Sequence, residues 1–409
     1  MIKFTGIIAE YNPFHNGHKH QIEHLRSLGT EVIAVAMSGD FVQRGAPAWT
    51  DKYTRTQMAL SQGADLVFEL PTAYTLSSAE HFAFGGISLL NALHMDSVCF
   101  GCETPSLPLL DSAAELLQKE PNDYRQTLQQ HLKSGASYPA AREAALRQSM
   151  PELPPDFLSG ANNILALEYL KALRSTHSTM TPVPILRTDS GYHSTELSGG
   201  TFSSASAIRF SYKDTDSLND ISQALPEEIM ALLKKRSGHL GMDTADFDAL
   251  LYYALRRAVQ KGSLTHYGDI HEELANRIIK FLADYQTVDT FILSLKRKNI
   301  TYSRICRCLF QLLLEIPAEF VKGTCHPIPY LRLLGMRRQS SGYLRRITEL
   351  PILTKMADAW DILSDSPYPY AKDFLSIDLF AADLYRQTLL QKNGTVIPDE
   401  YHAGIVIVD

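Results

Sequence analysis

Short apolar runs alternate with longer amphipathic stretches over the first half of the chain. Residues 4–9, 31–37, 65–71, 97–101 and 181–186 are largely apolar, and the first reads as a short buried strand and the others as further strands of the same sheet. Residues 52–62 and 79–93 carry helical spacing between them. Strands separated by helices predict βαβ units and a parallel sheet, so residues 1–215 are expected to form an α/β domain. Residues 105–150 look helical, with breaks at Pro121 and near Gly135, and read as a helical insertion in that domain. From about residue 215 strand-like runs nearly vanish. Helical periodicity predicts helices over 245–259, 272–284, 287–295 and 302–314, so residues 216–409 are expected to be a mostly helical second domain.

The sharpest break in the pattern is Glu10-Tyr11-Asn12-Pro13-Phe14-His15-Asn16-Gly17-His18. It follows the first strand and precedes Lys19-His20-Gln21-Ile22, where Ile22 and Leu25 begin a helix face. Asn12-Pro13 signals a turn, and Gly17 lets backbone approach a ligand closely. A helix N-terminus offers free N–H groups and a positive dipole end, so the layout suits phosphates. His15 and His18 could add donors or charge to a phosphate that gains charge in displacement. His-x-Gly-His resembles the signature of the nucleotidyltransferase superfamily, which implies a Rossmann-like fold. A chance pair of histidines at a helix start is the plain alternative.

Three further stretches carry candidate chemistry. Ser38, Gly39, Asp40, Gln43 and Arg44 lie in a polar loop after the second strand. Open α/β sheets bind ligands at the carboxyl ends of their strands, so this loop is either a substrate loop or a solvated connection. Asn162 sits where a helix begins, as an N-cap or an amide contact to a ligand. Thr201-Phe202-Ser203-Ser204-Ala205-Ser206-Ala207-Ile208-Arg209 clusters hydroxyls at another helix start. A Ser-rich stretch ending in Ile/Leu-Arg binds outer phosphates in the same superfamily, and Ser204, Ser206 and Arg209 match it. A plain serine N-cap would explain the same residues.

Composition narrows the class. The chain has 409 residues, 45% of them hydrophobic, enough for ordinary cores in two domains. Residues 1–20 carry polar groups throughout, which does not suit a secretory signal. No apolar run reaches the ~18–20 residues of a membrane span, and no membrane partner is expected. Five cysteines, odd in number, suit reduced thiols in a cytoplasm. Cys99 and Cys102 form a lone Cys-x-x-Cys without the second pair a zinc site wants, so no metal site is expected. The formal charge is −6, yet residues 296–346 hold eleven Lys or Arg against two Glu, a local +9. Lys296, Arg297, Lys298, Arg304, Arg337, Arg338, Arg345 and Arg346 could line a phosphate-binding face, with Tyr302 and Tyr343 to stack on bases. A solvated basic face without a partner is the alternative.

The start Gly6-Ile7-Ile8-Ala9-Glu10-Tyr11-Asn12-Pro13-Phe14-His15-Asn16-Gly17-His18 resembles the bacterial tRNA(Met) cytidine acetate ligase family. So do the loop Ser38 to Gly45, Asn162-Asn163-Ile164-Leu165, Tyr302-Ser303-Arg304-Ile305 and Tyr330-Leu331-Arg332-Leu333-Leu334-Gly335. The resemblance spans essentially the whole chain. It implies an enzyme that uses ATP and acetate to make N4-acetylcytidine at the wobble position of elongator tRNA(Met), with Mg2+ assisting. It also implies ATP contacts across residues 7–20, Lys19 and His20 included, and at Gly101, Asn162 and Arg187. No protein partner is evident. Three rivals remain at this point. A small-molecule adenylyltransferase would have no use for the basic half. A class I aminoacyl-tRNA synthetase usually carries lysines where Ser203 to Arg209 has none. A non-enzymatic RNA-binding factor need not keep His15, His18 and Arg209.

Overall fold

Ile33, Val35 and Met37 face one core while Ala34 and Ala36 face the other, the period of two that a strand buried on both sides requires. A computed structural model describes residues 3–155, 157–187, 203–323 and 325–409. The strands are β1 (Phe4–Ala9), β2 (Val32–Ser38), β3 (Phe41–Val42), β4 (Ala46–Pro47) and β5 (Leu66–Leu70). They continue with β6 (Ser97–Cys102), β7 (Thr181–Leu186), β8 (Leu331–Arg337), β9 (Ile352–Leu353) and β10 (Val406–Val408). The main sheet runs β10-β8-β5-β2-β1-β6-β7, with β9 beside β8. Strands β5, β2, β1, β6 and β7 are all parallel, with Ile7 level with Val35 on one side and Cys99 on the other. The chain order reverses around β1, which puts a ligand crevice at the carboxyl ends of β1 and β6.

All five expected strands are present, and the fifth spans Thr181–Leu186. Between β6 and β7 the chain forms helices Leu107–Lys119, Asn122–Lys133 and Tyr138–Ser149, so the stretch read as helical is helical. Beyond residue 215 the chain is mostly helical, including Asp248–Lys261, Glu272–Phe281, Val288–Leu295 and Tyr302–Leu313. It also returns to the sheet. Strand β8 pairs antiparallel with β5, and β10 lies parallel to β8. Tyr330 to Gly335, which a helical reading of this half passes over, is thus mostly strand.

A buried charge network fastens β8 to the sheet. Lys52 Nζ lies 3.0 Å from Glu69, 3.4 Å from Asp40 and 3.2 Å from Glu400. Arg332 on β8 reaches Glu69 at 3.0 Å and also pairs with Glu400. Arg55, wholly buried, donates to the carbonyls of Glu10, Ser38, Gly39 and Thr50. Burial pushes the Glu69 carboxyl up, but Arg332 and Lys52 outweigh it and hold it below the usual range. Removing one partner of such a set leaves an uncompensated buried charge, which typically costs about 3–5 kcal/mol. Arg332→Ala is therefore expected to lower the thermal midpoint by several degrees, as read by calorimetry. An unchanged midpoint would show that the network is not a stabilising joint.

Candidate active site

After β1 the chain turns through Tyr11, with φ at 47°, and a cis Asn12–Pro13 peptide. Three elements hold that turn. Arg55 donates to the Glu10 carbonyl at 2.8 Å, Trp49 N–H donates to Asn12 Oδ1 at 2.7 Å, and Arg209 donates to the Asn12 carbonyl at 2.5 Å. His15 is then the N-cap of helix Asn16–Ser27. Its Nδ1 accepts the Gly17 N–H at 3.1 Å, and its own N–H donates to Nδ1 of His18 at 3.2 Å. Each Nδ1 is an acceptor, so in the neutral rings the proton sits on Nε2. The two rings stack with centroids 3.8 Å apart. Burial, then His15 and Arg187, hold His18 well below the ordinary histidine range. His18 therefore offers a hydrogen bond without a charge at neutral pH.

Arg187 follows β7, and its side chain crosses the backbone of Gly101 at the end of β6. A Cβ at Gly101 would stand 2.8 Å from Arg187 Cγ. Arg187 donates to Asn162 Oδ1 at 3.0 Å, and Asn162 Nδ2 donates to Glu103 at 2.8 Å. Glu103 also accepts the N–H groups of Asn162 and Asn163 at 3.2 and 2.7 Å. Helix Ala161–Ser175 thus starts at Gly160 and takes its cap from Glu103 rather than from Asn162. Ser204 caps helix Ala205–Thr215 by accepting the Ala207 N–H at 3.1 Å. Ser206 accepts a bond from Arg209 at 3.3 Å. Thr188, Asp189, Thr201 and Phe202 lie outside the described residues.

These groups open onto one cleft of about 1360 Å³. That exceeds the ~300–1,000 Å³ usual for a small-molecule pocket. Ile8, Ala9, Glu10, Tyr11, Asn12, His15, Gly17, His18 and His20 line it, as do Gly101, Asn162, Arg187, Ser204, Ser206 and Arg209. Ile7 and Phe14 are core residues, Pro13 completes the turn, and none of the three lines the cleft. Asn16 donates to the Gln223 carbonyl at 2.9 Å, and Lys19 faces Glu23 on the outer side of its helix.

The polar loop divides. Gln43 and Arg44 line the cleft, where β3 and β4 form a small antiparallel ribbon. Ser38, Gly39 and Asp40 do not, because Asp40 is drawn into the Lys52 pair and Gly39 packs on Glu69. Gly45, at φ 79°, lies against the backbone of Cys306 and Arg307, so helix Tyr302–Leu313 walls the cleft with Tyr302, Ser303 and Cys306. Trp49 and Glu103 were not singled out by sequence reasoning, and Arg55 stood out only as a basic residue in the first turns of its helix. Glu103 had one signal, an acid just past a strand end, but its helix partner lies about sixty residues away in the chain.

The basic stretch also divides. Lys296, Arg297 and Lys298 lead into the helix whose first turns wall the cleft. Arg297 faces Glu273 at 3.6 Å, Lys298 donates to the Gly135 carbonyl, and Arg304 pairs with Asp269 at 2.8 Å. Arg337, Arg338, Arg345 and Arg346 lie at the opposite end of the sheet, because β8 runs antiparallel to β5. Arg346 covers the ring of Phe4, the first residue of β1, at 4.4 Å, and Arg338 pairs with Asp409 at 2.8 Å. The length of β1 separates the two groups by roughly 17 Å. Tyr343 is buried, donating to the Leu93 carbonyl at 2.7 Å, and offers no face to a base.

A crevice at the strand ends, a stacked histidine pair capping the first helix, and a Ser/Arg helix start opposite it define a nucleotidyltransferase of the His-x-Gly-His class. Residues 2–397 match the family model described as HIGH Nucleotidyl Transferase. The chain is 37% identical to a tRNA(Met) cytidine acetate ligase of Clostridium kluyveri, covering 100% of both. It is 40% identical to the protein of that name in a Thermoanaerobacter species, covering 96% of each. Among solved structures it is similar to apo Thermotoga maritima TmcAL, with a TM-score of 0.91 at 27% identity over 100% of both chains. The form of that protein bound with alpha-thio ATP gives a TM-score of 0.87 over the same coverage. The chain belongs to the tRNA(Met) cytidine acetate ligase family of these nucleotidyl transferases.

Gly101→Ala is expected to displace Arg187 while leaving the fold intact. Loss of one charged hydrogen bond, about 1.5–3 kcal/mol, corresponds to roughly 10- to 100-fold weaker nucleotide binding. Calorimetric titration with ATP checks this, and an unaltered affinity would mean that Arg187 makes no contact with nucleotide.

Proposed function

We propose that this enzyme is an ATP-dependent ligase that activates acetate as acetyl-adenylate. It then acetylates N4 of the wobble cytidine of elongator tRNA(Met). The carrying observation is that the His15/His18 pair and the Ser206/Arg209 helix start open onto one cleft. The cleft is larger than one nucleotide needs, so it has room for a second substrate. A carboxylate oxygen of acetate attacks the α-phosphorus of ATP, the bond to the β-phosphate breaks, and diphosphate leaves. The cytidine N4 then attacks the acetyl carbon, the bond to AMP breaks, and N4 gives up a proton. No protein nucleophile is required.

Two anions must meet, so the pocket has to supply positive charge and donors where charge develops. Arg187 and Arg209 supply fixed charge, while His15 and His18 donate through Nε2. The helix N-termini at Asn16 and Ala205 add backbone N–H groups toward the phosphates. Gln43 and Arg44 border the acetate or adenylate, and Tyr302 stands on the same side. Magnesium would travel with the triphosphate. No cluster of three or more His, Cys, Asp or Glu that could cage an ion occurs among the described residues, and Mg2+ commonly binds phosphates plus one or two carboxylates. No described helix is long and apolar enough to cross a membrane.

Acetate-dependent ATP–diphosphate exchange isolates the first step. His15→Ala and His18→Ala are each expected to slow it roughly 100-fold, the scale of one lost transition-state donor. Near-normal rates in both would remove the histidines from the chemistry. Since the His18 pKa is depressed, its neutral form persists as pH falls through the ordinary histidine range. An acid limb arising from His18 should therefore appear below pH 6.5, and His18→Gln should remove it.

Lys296, Arg297, Lys298 and Arg304 are placed in this reading near the reacting cytidine. Arg337, Arg338, Arg345 and Arg346 would meet only a more distant part of the tRNA. Each lost phosphate contact should reduce the salt slope of tRNA binding by about 0.7–0.9. Lys298→Ala and Arg338→Ala are therefore compared for slope and acetylation rate. A silent variant removes its cluster from the interface.

A further inference from the structure

Helix Asp248–Lys261 buries Leu251, Leu255 and Ala258 and turns the other side outward. That side carries Tyr252, Tyr253, Arg256, Arg257 and Lys261, all exposed, at helical spacings of four and eight. Tyr253 is 62% exposed and Tyr252 43%, unusual values for two neighbouring aromatic rings. Arg257 lies 5.7 Å from the centre of the Tyr253 ring. Among the described residues, no hydrogen bond or ion pair neutralises Arg256, Arg257 or Lys261. The contrast with Arg297, Arg304 and Arg338 is direct, since each of those faces a carboxylate.

The start of this helix adjoins the cleft. Thr244, which lines the cleft, precedes the helix by one short turn. Asp289 joins the two regions by accepting from Tyr302 at 2.6 Å and from Thr244 at 3.5 Å. The next residue back, Val288, donates to Asp248 at the helix start at 2.6 Å. The Tyr252 ring packs on Tyr285 at 5.4 Å, and Tyr285 in turn donates to the Asp248 carbonyl at 3.1 Å. Rings and uncompensated guanidinium groups side by side suit unpaired bases flanked by phosphates, because bases stack on aromatic planes while phosphates seek cations.

We propose that the outward face of helix Asp248–Lys261 docks the anticodon arm of the substrate tRNA. Tyr253 with Arg257 forms a stacking platform for a loop base, and Arg256 and Lys261 hold adjoining phosphates. The helix is about 21 Å long, so it can guide the arm away from the cleft while one cytidine enters. This assignment rests on the proposed acetylation of tRNA.

The test measures binding of a full elongator tRNA(Met) transcript and of its isolated anticodon stem-loop across a salt series. Arg256→Ala with Lys261→Ala should weaken both at least tenfold and flatten the salt slope by about 1.4–1.8. Arg256→Lys should retain the slope. Tyr253→Ala should weaken both roughly 5- to 100-fold with the slope unchanged, as expected when stacking on one base is lost. Thermal midpoints confirm that these surface variants fold. Unchanged affinities would overturn the proposal, and so would weakened binding of the full transcript with normal binding of the stem-loop. Failure of the unaltered enzyme to acetylate the transcript would instead overturn the function on which the proposal rests.

Discussion

The structure depends on one constraint, the burial of six charges in balance. Lys52, Arg55 and Arg332 face Asp40, Glu69 and Glu400 where water is excluded. Each ion would be costly to bury alone, so the set is stable only when every partner is present. Those partners come from the second strand's loop, the following helix, β5, β8 and the C-terminal tail. The far half of the chain is thereby tied to the sheet that builds the cleft. Helix Tyr302–Leu313, which walls that cleft, belongs to the half so anchored.

Arg55 carries the same constraint into the site. By holding the carbonyls beyond β1 and β2, it sets the path of the turn that presents His15. In the proposed mechanism the histidines supply directional donors, and burial, then His15 and Arg187, hold His18 below the ordinary histidine range. In that mechanism positive charge comes instead from Arg187 and Arg209, whose planar guanidinium groups present forks of N–H donors suited to phosphates. Each is oriented by an asparagine: Asn162 through its side chain, Asn12 through its carbonyl. These hydrogen bonds hold the groups in place without a substrate, the preorganisation that the proposed chemistry calls for.

The helical half contributes surface rather than one basic patch. Residues close in sequence separate because β8 crosses the sheet in seven residues, delivering Arg337 and its followers to the other end. Positive charge near the cleft is partly spent on internal carboxylates. Uncompensated cations gather instead on helix Asp248–Lys261, beside two exposed tyrosines.

Local pattern carried much of this protein in the sequence. The central parallel strands were legible because a strand buried on both faces must be largely apolar, whereas β7, a partly exposed edge strand, was legible from its apolar run alone. The histidine turn was legible because proline, glycine and a helix start leave few other conformations. Ser204 and Arg209 were legible as a helix start with an arginine on its inner face. What tertiary structure alone decided concerns partners distant in the chain. Asp40 and Gln43 look alike as loop residues, yet one is captured by Lys52 and the other lines the cleft. Asn162 reads as a cap until Glu103, just past the end of β6, takes that place and leaves the amide to hold Arg187. Charge counted along the sequence overstated a patch that the antiparallel course of β8 divides. Periodicity reports which side of an element is buried, but an ion pair or a shared cleft depends on which elements meet, and only the folded chain brings them together.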